Sequence, residues 1–420
     1  MDFKPRSHEK IRRLLSKGVD IPNPSSVDIG DEVNIDLISE QGVKIYPGCR
    51  IYGNKTVISS GCQLGYEAPV TMENCQLGPT VELKGGFFSK SVFLEQAKMG
   101  MGACVREGSI MEEQASGAHC VGLKQTILFP FVTLGSLINF CDCFMAGGTS
   151  RQNHSEVGSS YIHFNFTPDA DKTTPSLIGD VPRGVMLNQP PIFLGGQGGI
   201  VGPARLGYGN VVAAGSILRH DYIEDNKLIF DTINSKIVRD YIPTAYPNIG
   251  RIVENNIVYL ANMTALEAWY SHVRKPFLEA QQFGLFLYEG VMEQLLLARK
   301  ERLKRLKVVA EKALSPSIKK RKGKAAQGMR EFYEKMAFLE DIFNGQPSDE
   351  PETVERSREA FLRDFEKIVG HYRANYLETI QSLPAKVSSK GVVWLGGMVD
   401  TLCNTVAMSV PSLSLFKKKG

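Results

Sequence analysis

The stretch 194–218 reads LGGQGGIVGPARLGYGNVVAAGSIL and repeats with a period of six. Aliphatic residues occupy every sixth position, at Leu194, Ile200, Leu206, Val212 and Leu218. A period of six is typical of a β-helix in which each hexad forms one flat side of a triangular coil, so that three hexads close a turn. The aliphatic residue fills the interior, and glycine or another small residue lets the chain turn each corner. The stretch therefore predicts a β-solenoid.

The same period extends towards the N-terminus, where Phe93, Met99, Val105 and Met111 repeat at six-residue intervals. Shorter copies of the repeat start at Ile29, Ile45, Leu64, Leu77 and Val132. A meander of short strands would instead need period-two alternation and hairpin dipeptides, which this region lacks. We therefore predict a left-handed parallel β-helix of hexapeptide repeats over 21–221, an exception to the right-handed crossover rule.

The rest of the chain has a different texture. The repeat breaks near 149–160 and 167–191, which predicts loop insertions at corners, where function often resides. We interpret 222–250 as a bridge and 1–20 as an N-terminal helix. Apolar residues at helical spacing then predict an α-helical bundle of about five helices over 251–420. The predicted fold class is a β-solenoid plus an α-helical domain.

The charge distribution argues against a general nucleic-acid binder. The 420 residues carry a net charge of only +4, and 43% of them are apolar. Twelve Lys and Arg residues and two Glu residues are concentrated between 299 and 324. The basic run 319–324 has the pattern of a nucleic-acid or anionic-membrane site. Because no aromatic residues interleave with it, we favour a solvated loop between helices.

The distribution of cysteines favours a reducing compartment. Seven of the eight lie before Phe144, and no CxxC pair occurs. The N-terminus has no apolar segment typical of a signal peptide. The late apolar stretch 391–410 is interrupted by glycines, Asp400 and Asn404, which argues against a membrane span. We therefore expect a cytoplasmic protein.

Specific motifs between about 101 and 221 resemble one enzyme family. The segments are 105–108 (VREG), 157–166 (VGSSYIHFNF), 176–180 (SLIGD) and the run 193–221. They are similar to the acetyltransferase half of the bifunctional N-acetylglucosamine-1-phosphate uridyltransferase/glucosamine-1-phosphate acetyltransferases. That half is a left-handed β-helix that uses acetyl-CoA. No Gly-rich phosphate loop opens this chain, so we expect no uridyltransferase (pyrophosphorylase) activity from it.

The resemblance implies roles for individual residues. Those that would hold the phosphate of a sugar phosphate or of a nucleotide sugar such as UDP-N-acetylglucosamine are Arg106, Lys124 and Lys172. Those that would contact the sugar are Asn165 and Phe166. Those that would border the groove for the pantetheine of acetyl-CoA or another acyl-CoA are Gly196, Ala213 and Ala214. The alternative for each is an exposed charge or a corner residue.

The catalytic base of the family is missing. Ser136 stands where the resembled enzymes have a histidine, and Asn139 where they have a tyrosine. Serine cannot act as a general base at neutral pH, whereas imidazole can. We therefore count Ser136 and Asn139 among the substrate-binding candidates. His154, in an insertion, and His163 are the candidates for a displaced base, and a solvated His154 is the alternative. A further alternative is a metal site of His119, His154 and His163, like that of trimeric β-helix carbonic anhydrases, but we predict no metal.

These observations lead to three hypotheses of function. The first is an acyltransferase-like protein that binds a sugar phosphate or nucleotide sugar and uses acetyl-CoA or another acyl-CoA as co-substrate. The second is a non-catalytic nucleotide-sugar-binding protein or scaffold, motivated by Ser136. The third is an assembly module in which the helical domain is the working part. The resemblance also implies a homotrimer, for which Phe129, Phe131 and Phe140 are candidate outward contacts. We expect no permanently bound cofactor, no membrane span and no nucleic-acid partner.

Overall fold

A computed structural model describes residues 6–232, 238, 246, 248–312, 324–345, 351–369 and 375–416. It confirms the predicted fold class. The chain forms a left-handed parallel β-helix of about eleven turns, followed by a region of several helices. The basic run 319–324 lies outside the described residues except for its last member, Lys324, which begins a helix.

The β-helix has three faces, here called A, B and C. Face A consists of β1 (Asp28–Ile29), β3 (Arg50–Tyr52), β6 (Val70–Glu73), β9 (Gly86–Ser89), β12 (Ala103–Val105), β15 (Gly122–Leu128), β17 (Asn139–Met145), β21 (Ile162–Phe164), β24 (Gly199–Val201) and β27 (Ile217–Leu218). Face B continues β15 and β17 around a corner and adds β4 (Val57–Ile58), β7 (Gln76–Leu77), β10 (Ser91–Phe93), β13 (Ser109–Met111), β22 (Ser176–Ile178) and β25 (Arg205–Leu206). Face C consists of β2 (Lys44–Ile45), β5 (Gln63–Leu64), β8 (Glu82–Leu83), β11 (Lys98–Met99), β14 (Ser116–Gly117), β16 (Thr133–Leu134), β20 (Glu156–Val157), β23 (Phe193–Leu194), β26 (Val211–Val212) and β28 (Leu228–Ile229).

The hexad residues fill the interior, as the period predicts. All five aliphatic residues of the 194–218 repeat are buried, and so are the four of the 93–111 repeat. Aligned residues of successive coils pair in register, for example Leu194 with Val212 and Ile200 with Leu218. Coils are therefore stacked about 4.8 Å apart, and a residue at one register position lies above its counterpart in the coil before.

The insertions leave the β-helix at two corners. Between faces B and C, the first one forms a hairpin of β18 (Gly148–Ser150) and β19 (Asn153–His154). Strand β22 divides the second predicted loop into two loops. Residues 165–175 lie at the corner between faces A and B (the AB corner), and residues 179–192 lie at the corner between faces B and C (the BC corner). The strand forms because Leu177 and Ile178 are buried and continue the repeat. The last strand, β28, lies in the segment interpreted as a bridge.

The described helices are α1 (His8–Lys17), α2 (Val181–Gly184), α3 (Ile249–Trp269), α4 (Lys275–Glu279), α5 (Gly284–Lys312), α6 (Lys324–Glu334), α7 (Met336–Asn344), α8 (Glu352–Val369), α9 (Tyr376–Gln381) and α10 (Ala385–Ser409). A π-helical turn, Tyr270–Arg274, joins α3 to α4. Helix α1 lies at the N-terminal end of the β-helix, where Lys10 donates to the carbonyls of Gly30 and Asp31. Helix α5 packs against β7, β10 and β13, so the helical region covers face B.

Buried ion pairs join the two parts of the chain. Arg274 forms a two-pronged contact with Glu113, with its Nη2 2.6 Å from Oε1. Tyr270 donates to Glu112 on the neighbouring position. Burial raises the pKa of Glu112 to about 7. The helical region therefore docks on the β-helix through buried polar groups as well as apolar packing.

Phe129, Phe131 and Phe140 are not outward contacts. Their side chains are 1%, 4% and 0% exposed, respectively, and Phe129 stacks edge-on against Phe144 inside the chain. Their prediction as trimer contacts was wrong because Phe140 aligns with the buried Leu123 of the preceding coil and Phe129 packs beside Gly184 of α2. Other apolar side chains are exposed on faces A and C.

Helix α10 is long and apolar enough to span a membrane by length and composition. In the structure it packs against α3 and α8, with Trp394, Leu395 and Val406 buried. The core helix of a folded bundle satisfies the same criteria, although only 33% of the apolar window of α10 is buried.

Candidate functional site

Face A carries a row of polar side chains beside the AB corner. Strand pairing aligns Lys124 of β15 with Cys141 of β17, and Arg106 occupies the equivalent position after β12. Gly122 pairs with Cys104 on one side and Asn139 on the other. Because Gly122 has no side chain, the surface between the exposed Cys104 and Asn139 is open. The sequence-predicted residues Arg106, Lys124 and Asn139 thus share one surface.

The charges of the three predicted phosphate-binding cations all act on one thiol, that of Cys141. Burial raises the pKa of Cys141 to about 11, and the nearby charges of Lys124, Lys172 and Arg106 oppose this increase. Glu107 is the local counter-charge, with its Oε1 2.8 Å from the Lys124 Nζ. Although burial opposes it, the hydrogen bond from Lys124 keeps the pKa of Glu107 below its usual value. With the Asp142–Arg302 pair next to Cys141, the count is two anions against four cations, a local surplus of positive charge.

Asn165 is linked to this surface by the buried carboxylate of Asp142. Its side chain hydrogen-bonds Asp142, the residue that follows Cys141. Asp142 is 4% exposed and pairs with Arg302 of α5, with Oδ1 2.6 Å from Nη2. Burial raises the pKa of Asp142, whereas Arg302 and Asn165 lower it. Phe166 is 73% exposed, at the outer edge of the same loop.

The helical region holds the loop 165–175 in place. The Nη1 of Arg302 donates to the carbonyl of Lys172 at 3.0 Å. The Tyr246 hydroxyl donates to Asp171 at 2.8 Å, and the Asn256 amide donates to the carbonyl of Thr173 at 3.2 Å. These hydrogen bonds from the helical region hold the loop around Lys172, whose backbone is left-handed with φ 54°. The position of the predicted sugar-binding loop thus depends on the helices.

A second column of residues runs along the corner between faces C and A (the CA corner). Each member stands two residues after an aligned strand residue of face C, and the members in successive coils are His119, Ser136, Ser159, Gly196 and Ala214. A Cβ on Gly195 would lie 2.3 Å from the Ala214 backbone nitrogen. A Cβ on Gly158 would lie 2.4 Å from the Gly196 nitrogen. The backbones of adjacent coils therefore approach closely here. At the C-terminal end of the column, Gly196 and Ala214 present no side chain larger than a methyl group.

The CA column brings together the predicted cofactor residues and Ser136. Gly196, Ala213 and Ala214 lie at its C-terminal end, and each is at least partly accessible. Ser136 is the second member from its N-terminal end, and its backbone N–H donates to Ser159 Oγ at 3.1 Å. Its Oγ lies 2.8 Å from Nδ1 of His119, in the preceding coil. An imidazole is thus present beside the position at which the resembled enzymes have theirs.

The two predicted displaced bases lie elsewhere. His163 is 2% exposed inside the coil, where its Nε2 is 2.8 Å from Ser176 Oγ. Burial lowers the pKa of His163 to about 4, and the side chain lies on the inward face of β21, away from the surface. His154 lies in the hairpin at the BC corner, where its Nδ1 contacts the carbonyl of Arg151 at 2.8 Å. The structure therefore brings neither imidazole to Asn165 or Ser136 within this chain.

Within the chain, the three histidines of the alternative metal site do not converge. His119, His154 and His163 lie at the CA corner, at the BC corner and inside the coil, respectively. Among the described residues, no group of three His, Cys, Asp or Glu side chains has the geometry to hold a metal ion.

Sequence reasoning missed His119 as a neighbour of Ser136, and Arg302 as the partner of Asp142. The first was within reach of the repeat, because Gly117 and Leu134 align and each of the two residues follows two positions later. The second joins residues 160 positions apart, for which the sequence pattern carries no signal.

Comparison with known proteins supports the resemblance. No protein-family model matches the chain. Over 213 residues it is 27% identical to the bifunctional protein GlmU of Thermotoga maritima, which covers 50% of this chain and 42% of that protein. The GlmU proteins of Fervidobacterium nodosum and Trichlorobacter lovleyi are each 26% identical, over 215 and 223 residues. The first covers 51% of this chain and 42% of the relative, and the second covers 52% and 43%. The chain thus spans less than half the length of these relatives, and its β-helix is similar to their acetyltransferase domain.

Proposed function

We propose that the protein transfers an acyl group from an acyl-CoA thioester to a phosphorylated sugar or nucleotide sugar bound on face A. The observation that carries the proposal is the alignment of Arg106 and Lys124 at equivalent positions of consecutive coils, beside Cys141, on which the charge of Lys172 also acts. Cationic donors form strong, charge-assisted hydrogen bonds with phosphate oxygens. Asn165 and Phe166 would contact the sugar from the adjoining loop.

The acyl donor would lie along the CA corner. Pantetheine is a long, slender group, and the bare backbone at Gly196 and Ala214 leaves room for it. A donor running along this column would bring its thioester towards Ser136, about three coils or 14 Å from Ala214. Ala213 would border the same groove.

We further propose that the active form is a homotrimer. Helices cover face B, which leaves faces A and C for association. Exposed apolar side chains on the C-terminal coils of these faces are Ile162, Phe164 and Val201 on face A and Phe193, Val211 and Leu228 on face C. Apolar patches of this kind on a folded chain are typical of interaction surfaces. A cytoplasmic location accords with the eight free cysteines of the structure.

The test is a direct transfer assay. The protein is incubated with acetyl-CoA and a panel of hexosamine phosphates and UDP-linked sugars, and the release of the coenzyme A thiol is followed. Thermal-shift measurements on the same panel report binding independently, since a ligand at a hundred times its Kd stabilises by about 2.7 kcal/mol. Transfer that requires Arg106 supports the proposal, and a protein stabilised by none of these ligands contradicts it.

A second candidate function is non-catalytic binding of the same ligands. The specific observation in its favour is Ser136 at the family's histidine position, since a hydroxyl cannot replace imidazole as a base. Under this alternative the ligands bind and no thiol is released. Ser136→His would then be expected to introduce weak transfer into an otherwise intact pocket.

A further inference from the structure

His119 is an exposed imidazole that makes one specific side-chain contact. Its Nδ1 lies 2.8 Å from Ser136 Oγ, and no described residue hydrogen-bonds its Nε2. The two residues are held in this relation by the β-helix, because the strands before them pair Ser116 with Thr133 and Gly117 with Leu134. The contact therefore rests on the rigid stacking of coils rather than on a loop.

We propose that His119 is the general base of the acyl transfer and that Ser136 is its positioning residue. This inference rests on the proposed function. With the Nδ1 proton donated to Ser136 Oγ, the lone pair of the imidazole is on Nε2, which faces away from the serine. The serine at the family's histidine position would then retain a role, since its hydroxyl fixes the tautomer and orientation of an imidazole from the preceding coil.

The chemistry follows from this tautomer. As the amine or hydroxyl of the acceptor attacks the thioester carbonyl, His119 Nε2 takes the proton that the attacking atom loses. A C–N or C–O bond forms, and the C–S bond breaks. Coenzyme A leaves as a thiolate and receives the proton from the imidazolium. The neutral imidazole is restored, and no oxidant, reductant or metal is consumed.

The position of His119 suits both substrates. It lies in the column whose C-terminal end carries the bare groove proposed for the acyl donor. Across face A, Asn139 separates this column from the cation row at Lys124 and Cys141. Three residues of extended strand make this face about 10 Å wide, comparable with the length of a hexose phosphate. A phosphate at the cation row would therefore leave the far end of the sugar beside His119.

Kinetics of variants test the proposal. We expect His119→Ala to lower kcat about 10²–10⁴-fold, the usual contribution of a general base, with KM for the sugar phosphate unchanged. Ser136→Ala should lower kcat less and should displace the acidic limb of the pH–rate profile, which a merely structural role would not do. His8→Ala removes another exposed imidazole, in α1, and should leave both kinetic constants at wild-type values.

Three results would overturn the proposal. One is full kcat in His119→Ala. Another is loss of kcat in His154→Ala while His119→Ala stays active, which would place the base in the hairpin. The third is wild-type protein that binds both ligands in thermal-shift measurements and transfers nothing. Wild-type protein that binds neither ligand would instead refute the proposed function itself, so the two failures are distinguishable.

Discussion

Replacing Arg302 by methionine tests whether the helical region supports the candidate site. The side chain of Arg302 is 2% exposed and that of its partner Asp142 is 5% exposed. The same guanidinium donates to the carbonyl of Lys172. Methionine keeps an apolar stem of similar length but removes the charge and both donors. Asp142 would then be buried without its counter-ion, beside a loop that has lost its anchor.

Removing one member of a buried ion pair typically costs about 3–5 kcal/mol, because the remaining charge is left uncompensated. Burial already raises the pKa of Asp142, so proton uptake relieves part of this cost. We therefore expect a loss of about 3 kcal/mol in the free energy of unfolding. Asp142→Asn added to Arg302→Met should recover much of it, since asparagine tolerates the left-handed φ of 61° at this position.

Urea unfolding followed by circular dichroism measures these free energies. Lys55→Met is the matched control, because Lys55 also joins the β-helix to α5, through Glu293, but with 57% of its side chain exposed. Exposed ion pairs contribute about 0–1 kcal/mol. The reasoning is refuted if Arg302→Met costs no more than Lys55→Met. A loss in stability of the double variant equal to the sum of its single losses would also contradict the pairing.

Three other predictions concern a buried carboxylate, an exposed apolar side chain and a histidine that lies outside the proposed site. The folded-state pKa of Glu112, about 7, lies above its unfolded value, so its contribution of about 3 kcal/mol is present below pH 4.5 and lost as pH rises through 7. Urea unfolding between pH 5 and 8 should show this loss, and Glu112→Gln should remove it; parallel curves would contradict the assignment. Val211→Glu should convert a trimer to monomers in light scattering, whereas Gln63→Glu on the same face should not; a wild-type monomer at micromolar concentration would exclude the trimer. His154→Ala should keep the wild-type transfer rate, and a loss of ten-fold or more would bring the hairpin into the site.

The β-helix could be predicted because its period is encoded in single residues. Each hexad places one aliphatic side chain in the interior. Leu194 and Val212 therefore indicate two successive coils even when their contacts are unknown. The cation row followed from the resemblance together with this register. Arg106 and Lys124 stand at equivalent positions of consecutive coils, and the charge of Lys172, in the loop, acts on the neighbouring Cys141.

The missing parts depend on information that a repeat does not contain. The period places a residue on a face or at a corner, but an insertion can leave from any corner, and the hairpin of His154 leaves from the BC corner. His163 follows the inward alternation of β21 and is therefore buried. The contact of Arg302 with Asp142 depends on how α5 docks on the β-helix, which no local pattern specifies.

Isothermal titration calorimetry of a hexose phosphate tests most directly whether face A is a phosphate site. Loss of one charge-assisted contact costs about 1.5–3 kcal/mol, so Arg106→Ala should raise Kd at least about ten-fold. Arg50→Ala removes an exposed arginine from the same face, three coils away, and should bind like the wild type. Equal affinities for Arg106→Ala and Arg50→Ala would contradict the assignment of this surface as the substrate site.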